Sequence, residues 1–380
     1  MKKLNIGIIG CGAIFRLMHF HVLKKMKNKF TISSVYDINK EAIKNSGIKN
    51  VNLSKDVKSI LRDPEIDAVF ILTPISTHVK YTIDALSNNK HVFLEKPAAL
   101  SIKEIDLMIK VSNKYRRYVQ VGMVLRHSNW FLKLKKIIDL NKYGKVLWMH
   151  WLETRPLDPM NWRYDSANNN GDAVINDKAV HQINLFNAIA GAKPKSVAAF
   201  AGQYLLNKSK SKKLRAFNGE VFLSGDSNDH LMSIIEYENG VKADLLISYV
   251  SPYARESRWV IQLEKAKIVT HFETFVKGKK DKLFQWGTNP SSIYIFKDDN
   301  KYSVPWKIPM SYPPSTDNLA FYDENKNDPL HPGSTRQLNE FYNCVTKGVK
   351  PVCSLELARK DTEVTEALER SIKYSKIVYV

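Results

Sequence analysis

Over the first 125 residues, short apolar runs alternate with amphipathic stretches. Residues 4–9 (LNIGII), 31–36 (TISSVY), 66–72 (IDAVFIL), 91–94 (HVFL) and 118–122 (YVQVG) are apolar runs of strand length. Between them, 13–26, 38–46, 77–88 and 101–115 carry helical spacing, with Val79, Ile83 and Leu86 on one face of the third. Ser101 with Glu104 three residues later predicts a capping box. Strands alternating with helices of this length predict right-handed crossovers and a parallel sheet.

From about residue 145 the pattern changes. Strand patterns dominate at 145–152, 195–203, 230–237, 241–249 and 258–265. Glu238-Asn239-Gly240 between two apolar runs predicts a hairpin over 230–249. Helical patterns are fewer, at 128–140, 176–190, 334–346 and 355–375. The segment 280–330, rich in Asn, Asp, Pro and Ser, reads as loops. The pattern predicts an α/β chain: a parallel sheet with helices over about the first 125 residues, then an antiparallel sheet with helices beside it.

Composition bounds the classes. The 380 residues suit two domains at roughly 150 residues each. Hydrophobics at 44 % supply a core, and no apolar run reaches the ~18 residues of a membrane helix. The basic, apolar start lacks a small-residue cleavage site, so a secretory signal is not expected. Cys11, Cys344 and Cys353 are an odd, scattered set that fits a reducing compartment, hence the cytoplasm. The net charge is +20, with lysines outnumbering arginines 45 to 13. Lysine is spread along the chain, and the densest basic stretch, Lys208 to Arg215, reads as a solvated loop. No nucleic-acid motif accompanies the charge, so a nucleic-acid partner is not expected. The histidines lack ligand spacing, so no metal is expected either.

Gly10-Cys11-Gly12-Ala13-Ile14-Phe15 follows a predicted strand and opens a predicted helix. There the first glycine allows a tight turn, and the second lets the backbone approach a pyrophosphate at the helix N-terminus. Phe15 stands where a small third residue is usual. Asp37 ends the second strand, within the about 20–25 residues expected for an acid on a ribose 2′-hydroxyl. It would repel a 2′-phosphate, so NAD is favoured, with NADP left open by Lys40. Asp37 as a plain helix cap is the alternative.

A second series follows: Thr73-Pro74, His78, then Lys90-His91-Val92-Phe93-Leu94-Glu95-Lys96-Pro97, Arg126, Trp162-Arg163, and Gly171 through Asp177 to His181. Its order resembles the Gfo/Idh/MocA family of oxidoreductases, in its Thr-Pro…His, Lys-His-Val…Glu-Lys-Pro and Asp-x-x-x-His elements. The resemblance implies the α/β fold class in full: an N-terminal Rossmann domain, 1–125, that binds NAD(P), then a C-terminal α+β domain with a large, mostly antiparallel sheet, 126–380, that binds substrate and oligomerises, its C-terminal helix free to pack back on the first. It implies catalysis by Lys96, Asp177 and His181. It implies cofactor and pocket positions at Gly10, Gly12, Ala13, Ile14, Asp37, Thr73, Pro74, His78, Glu95, Lys96, Arg126, Trp162 and Arg163. The chemistry agrees. Oxidising an alcohol requires a base poised near neutrality, and a histidine four residues from a carboxylate on one helix face is suited to it. Each residue also has a plainer reading, as a surface pair or a solvated lysine. His19 reads as packing. Asp172, Ala173, Asn184 and Ile75 depart from the family pattern; Asp172 either touches substrate or caps the coming helix, and Lys178 adds a cation.

The resemblance implies hydride transfer between nicotinamide and a sugar, inositol or nucleotide-sugar hydroxyl or ketone. A glycosidase working by transient oxidation with bound NAD and a non-catalytic sugar- or cofactor-sensing regulator are the alternatives. The basic balance hints at an anionic small molecule. An exposed apolar sheet face in the second half would favour a homodimer or homotetramer.

Overall fold

The computed structural model describes residues 2–157, 164–166, 171–206, 212–216, 219–223, 225–251, 256–271, 292–297, 306–307 and 333–380. The chain divides into two compact units, Met1–Asn129 with Phe321–Arg359, and Trp130–Ala320 with Lys360–Val380.

The first unit alternates as its sequence pattern predicts: β1 (Leu4–Ile9), α1 (Phe20–Lys25), β2 (Phe30–Tyr36), α2 (Lys40–Asn45), β3 (Asn52–Leu53), α3 (Val57–Arg62), β4 (Ala68–Ile71), α4 (His78–Ser87), β5 (His91–Leu94), α5 (Ile102–Tyr115) and β6 (Val119–Val121). All strand pairings are parallel, in the order β3-β2-β1-β4-β5-β6. The run at 66–72 becomes β4, buried at all four residues as a central parallel strand requires. The capping box at α5 forms as expected: Ser101 Oγ accepts the Glu104 amide, and Glu104 Oε2 accepts the Ser101 amide.

The second unit starts within α6 (Asn129–Asp139). It continues through β7 (Val146–Thr154), α7 (Val180–Ala190), β8 (Pro194–Gly202), β9 (Lys212–Ala216), β10 (Gly219–Leu223), β11 (His230–Tyr237), β12 (Lys242–Ser248), β13 (Glu256–Leu263), β14 (Ala266–His271), β15 (Ser292–Lys297) and β16 (Trp306–Lys307). The chain closes with α8 (Ser334–Lys347), α9 (Leu355–Tyr374) and β17 (Val378–Tyr379). Nine strands form one sheet, β16-β15-β14-β13-β7-β12-β11-β8-β17. It is antiparallel except at β7–β12. The β11–β12 hairpin turns at Gly240, whose φ of +86° favours glycine.

Two expectations are corrected. The basic stretch up to Arg215 is not all loop, because Lys212–Ala216 pairs antiparallel with Gly219–Leu223. Within 280–330, β15 and β16 extend the large sheet. The rest of 280–330 lies outside the described residues.

One face of the large sheet is covered. Phe186 of α7 lies 5.9 Å from Trp259 of β13, and Ser371 of α9 accepts the Ala199 amide through Oγ. On the other face Phe200, Met232, Ile234 and Trp148 are exposed, and Met232 sits opposite both Phe200 and Leu246.

The sequence boundary at 125/126 assigns α8 to the second domain, but its side chains pack in the first unit. Phe341 meets Phe70 and Phe93 edge-on at 5.6 and 5.7 Å, and Phe70 stacks on Phe93 at 4.9 Å. Leu338 and Tyr342 join the same core, with Ile6, Ile8, Phe15 and Leu23. Such pairs add about 0.5–1.5 kcal/mol each beyond their buried area.

Candidate active site

In the first unit, four loops leave the carboxyl ends of neighbouring strands: Gly10–Gly12 after β1, Asp37 after β2, Thr73–Pro74 after β4 and Glu95–Pro97 after β5. The strand order reverses between β1 and β4, and open parallel sheets hold ligands in the crevice at such a reversal.

Gly10 has φ +98°, and a Cβ there would lie 2.7 Å from the Leu72 carbonyl oxygen, so no side chain fits. Gly12 differs: a Cβ would meet nothing within 4 Å. The space beside its backbone is open at the start of a helix, where an anionic pyrophosphate would be held. Asp37 accepts the Cys11 amide on Oδ2 at 2.7 Å and the Asn39 amide on Oδ1 at 2.8 Å. The acid is thereby fixed beside the turn. Ala13 and Ile14 are half-buried at the helix start. Phe15 is wholly buried in the core and packs on Phe20 at 5.6 Å. The bulky third residue therefore fills the core rather than the space beside Gly12. The helix opens with a wide π-turn, Phe15–His19, before α1. Burial, and then the Asp37 charge, push the Cys11 thiol up to about 12, which leaves it unreactive.

The loop carrying Lys96 is held on both sides. Glu95 Oε2 accepts the Lys96 amide at 3.1 Å, and Oε1 accepts His19 Nε2–H at 2.6 Å. His78 bridges two loops, with Nδ1 at 2.9 Å from the Pro97 oxygen and Nε2 at 2.8 Å from the Thr73 oxygen. Burial keeps the His78 ring below its ordinary pKa. For Glu95, burial raises the pKa, but the His19 hydrogen bond and charge, with Lys96, outweigh it and hold the carboxyl low. Gly122 makes this possible, since a Cβ there would lie 3.1 Å from Glu95 Oε1. Removing one member of a buried pair like His19–Glu95 costs about 3–5 kcal/mol. Lys96, Thr73 and Arg126 are half-buried, and Pro74 is exposed. Arg126 stands in the helical turn Val124–His127 that follows β6. Lys90 of the Lys-His-Val element is buried. Its Nζ donates to the Ile66 carbonyl at 2.7 Å and also to Asp63, which makes it a loop anchor.

In the second unit, Ala173–Ala179 forms a π-turn stretch that runs into α7. Asp177 and His181 lie one turn apart across that junction, both half-buried. Asp172 caps the stretch: Oδ1 accepts the Val174 and Ile175 amides at 3.0 Å, and Oδ2 accepts Asn228 N at 3.0 Å and Nδ2 at 2.7 Å. A cap of this kind contributes about 1 kcal/mol. Of its two sequence readings, the structure shows the cap. Lys178 pairs with buried Glu153 at 2.8 Å. Asn184, which departs from the family's aspartate, donates to buried Asp361 at 2.6 Å. Asn187 donates to the same carboxylate at 2.8 Å. Lys96 belongs to the first unit, and Asp177 and His181 to the second. Trp162 and Arg163 lie outside the described residues. Among the described residues no group of three His, Cys, Asp or Glu side chains is placed to hold a metal.

The sequence reading missed the His19–Glu95 link. The available signal was a histidine in the helix opened by the glycine turn, together with a glutamate directly before Lys96.

The parallel sheet, its glycine turn and the acid after β2 define a dinucleotide-binding protein, and two family models agree. One, described as the oxidoreductase family with an NAD-binding Rossmann fold, matches residues 4–123. The other, the GFO/IDH/MocA C-terminal domain, matches 131–269. The chain belongs to the Gfo/Idh/MocA family and is an NAD-binding oxidoreductase. It is 27 % identical over 259 residues to the uncharacterized oxidoreductase YrbE of Bacillus subtilis, covering 68 % of this chain and 70 % of that one. It is 28 % identical over 206 residues to the scyllo-inositol 2-dehydrogenase (NAD(+)) of Bacillus subtilis, covering 54 % and 55 %. Levoglucosan dehydrogenase, solved with NADH and L-sorbose, shares the fold at TM-score 0.78 and 18 % identity, over 100 % of this chain and 99 % of that one.

Proposed function

We propose that the protein is an NAD-dependent sugar or polyol dehydrogenase that uses Lys96, Asp177 and His181. The carrying observation is the Lys96 loop. Its amide and the next carbonyl are fixed by Glu95 and His78, on the strand-end edge that also carries the glycine turn and Asp37.

Bound NAD supplies the hydride acceptor at this edge. Gly10, Gly12, Ala13 and Ile14 present backbone to the pyrophosphate, and Asp37 receives a ribose hydroxyl. Thr73, Pro74 and Arg126 border the rest of the cofactor, and the family resemblance alone assigns Trp162 and Arg163 to the site. His78 and Glu95 shape the edge from beneath. The Lys96 ammonium donates a hydrogen bond to the substrate's reacting oxygen. His181 takes the hydroxyl proton as the carbon is oxidised, and Asp177, one helical turn before it, orients the ring or binds a neighbouring hydroxyl.

The scyllo-inositol relative and the levoglucosan dehydrogenase fold support a polyhydroxylated substrate, and the +20 charge favours an anionic one. Three buried cysteines that form no disulfide suit the reducing cytoplasm. The bare sheet face with Phe200, Met232, Ile234 and Trp148 supports a homodimer or homotetramer.

The test is a panel of inositols, aldoses, uronates and nucleotide sugars incubated with NAD⁺ and read by NADH absorbance. Turnover of one compound, lost in Lys96→Ala, supports the reading. NADH binding without turnover of any panel member overturns it. Cleavage of an aryl glycoside without net NADH would move the assignment to a glycosidase.

A further inference from the structure

We propose that His19 is a positioning residue for Lys96, coupling the helix opened by the glycine turn to the loop that carries the lysine. The inference rests on the reading of Lys96 given above.

His19 occupies the last position of the π-turn Phe15–His19, seven residues after Gly12. Its ring is 1 % exposed, enclosed by Phe93 at 5.2 Å and Phe70 at 6.2 Å, both edge-on. A ring needed only for packing there would be better served by an apolar side chain. Instead Nε2 donates at 2.6 Å to Glu95 Oε1. The other carboxylate oxygen takes the Lys96 amide. The path from glycine turn to lysine backbone thus has two hydrogen bonds, and both end on one carboxylate that is 6 % exposed. The wide turn is part of the device, since π-turns inside helices re-aim side chains and cluster at functional sites. Gly122 leaves the carboxylate room, and His78 holds the far side of the loop through Pro97. Among the described residues, the Lys96 ammonium and the His78 ring also face the Glu95 carboxylate.

A role in positioning makes two separable demands. The donor at Nε2 must be present, and it need not be an imidazole. Glutamine can supply an N–H at that place, and leucine cannot. Loss of the donor should loosen the Lys96 loop beyond the general loss of stability that removing a buried partner brings, and a core variant of the same unit controls for that general loss.

The experiment acetylates the full-length protein with acetic anhydride, with and without NADH, and follows Lys96 by mass spectrometry. His19→Leu, His19→Gln and Leu338→Ala are compared, the last as a destabilised control in the same core. The expected result is Lys96 acetylation about tenfold faster in His19→Leu, because local opening exposes the loop. His19→Gln and Leu338→Ala should behave as wild type, and NADH should slow labelling in those two but not in His19→Leu. Equal rates in all four proteins, or an equal rise in Leu338→Ala, would overturn the proposal. Where a panel substrate is turned over, His19→Leu should lower kcat while KM stays unchanged, and His19→Gln should restore it. Labelling as expected with no substrate turned over would count against the dehydrogenase reading and leave the coupling supported.

Discussion

The Asp37 carboxylate accepts the amide of Cys11 at 2.7 Å, which ties the acid that ends β2 to the glycine turn that ends β1. One charged group thus shapes the turn and is the one proposed to receive the ribose hydroxyl. Asp37→Ala removes both roles. KM for NAD⁺ should rise at least about tenfold, the scale of one hydrogen bond to a charged group. The preference for NAD⁺ over NADP⁺ should narrow, because the repulsion of a 2′-phosphate is gone. Steady-state kinetics with both cofactors checks this, and an unchanged ratio would contradict it.

Lys96 and His181 are each proposed to take part in the proton chemistry. Lys96→Ala and His181→Ala should each lower kcat by about 10²–10⁴-fold, the usual range for losing a general acid or base. NADH binding, read by fluorescence titration, should hold near wild type in both. A loss of binding that matches the loss of turnover would show that these side chains support the cofactor rather than the reaction.

Features set by neighbours along the chain were legible in the sequence. The Ser101–Glu104 capping box, the Gly240 hairpin and the Gly10–Gly12 turn all follow from local geometry. So did Asp37, because a fixed strand–helix–strand length sets its distance from the turn. Features set by distant partners were not. Lysines hid the strand at Lys212–Ala216, whose pairing is with β10. The polar composition around β15 hid a strand that depends on β14 for its hydrogen bonds. Nothing local to α8 says that Phe341 meets Phe70 and Phe93. His19 was placed on the right helix, but its carboxylate partner is 76 residues away. A buried histidine reads the same in sequence whether it packs or donates.

His91 gives a pH-dependent term. Its Nδ1 accepts the Tyr118 amide, which requires an unprotonated nitrogen there. Burial, and then Arg117, hold the ring at about 4 in the folded protein. The unfolded chain takes up this proton below about 6.5 and the folded protein does not. Stability from His91 is therefore present above pH 6.5 and lost as pH falls toward 4. His91→Asn removes the titration. The fall in Tm between pH 7 and pH 5 should be smaller in the variant, by about 1–2 kcal/mol in stability. Equal falls in both proteins would mean that His91 is protonated in the fold.

Asn184 and Asn187 both donate to the buried Asp361 carboxylate, and the Tyr237 hydroxyl donates to Asn187. Asn184→Asp would restore the residue the family pattern favours and would place a second carboxylate within hydrogen-bond reach of Asp361. The variant should lose about 3 kcal/mol at neutral pH, since one donor becomes a like charge. One of the two acids then has a raised folded pKa, so the loss should shrink as pH falls through it. Thermal melts at pH 7.5 and pH 5 measure this. A loss independent of pH would point to a steric cause.

On the bare face of the large sheet, Phe200 is 75 % exposed, Ile234 54 % and Met232 50 %. They sit on adjacent strands, with Met232 directly opposite Phe200 and Ile234 opposite Ala198. His150 and Asp244, an opposed pair on the same face, carry the polar part. An apolar stripe across several strands is unfavourable in water and is a surface that a second copy would cover. Ile234→Lys places a charge at its centre without touching the covered face, where Ile235 lies. Light scattering should give a dimer or tetramer for the wild-type protein and a monomer for Ile234→Lys, with Tm lower in the variant and dependent on concentration only in the wild type. A wild-type monomer, or a variant that stays assembled, would show that some other surface holds the copies together.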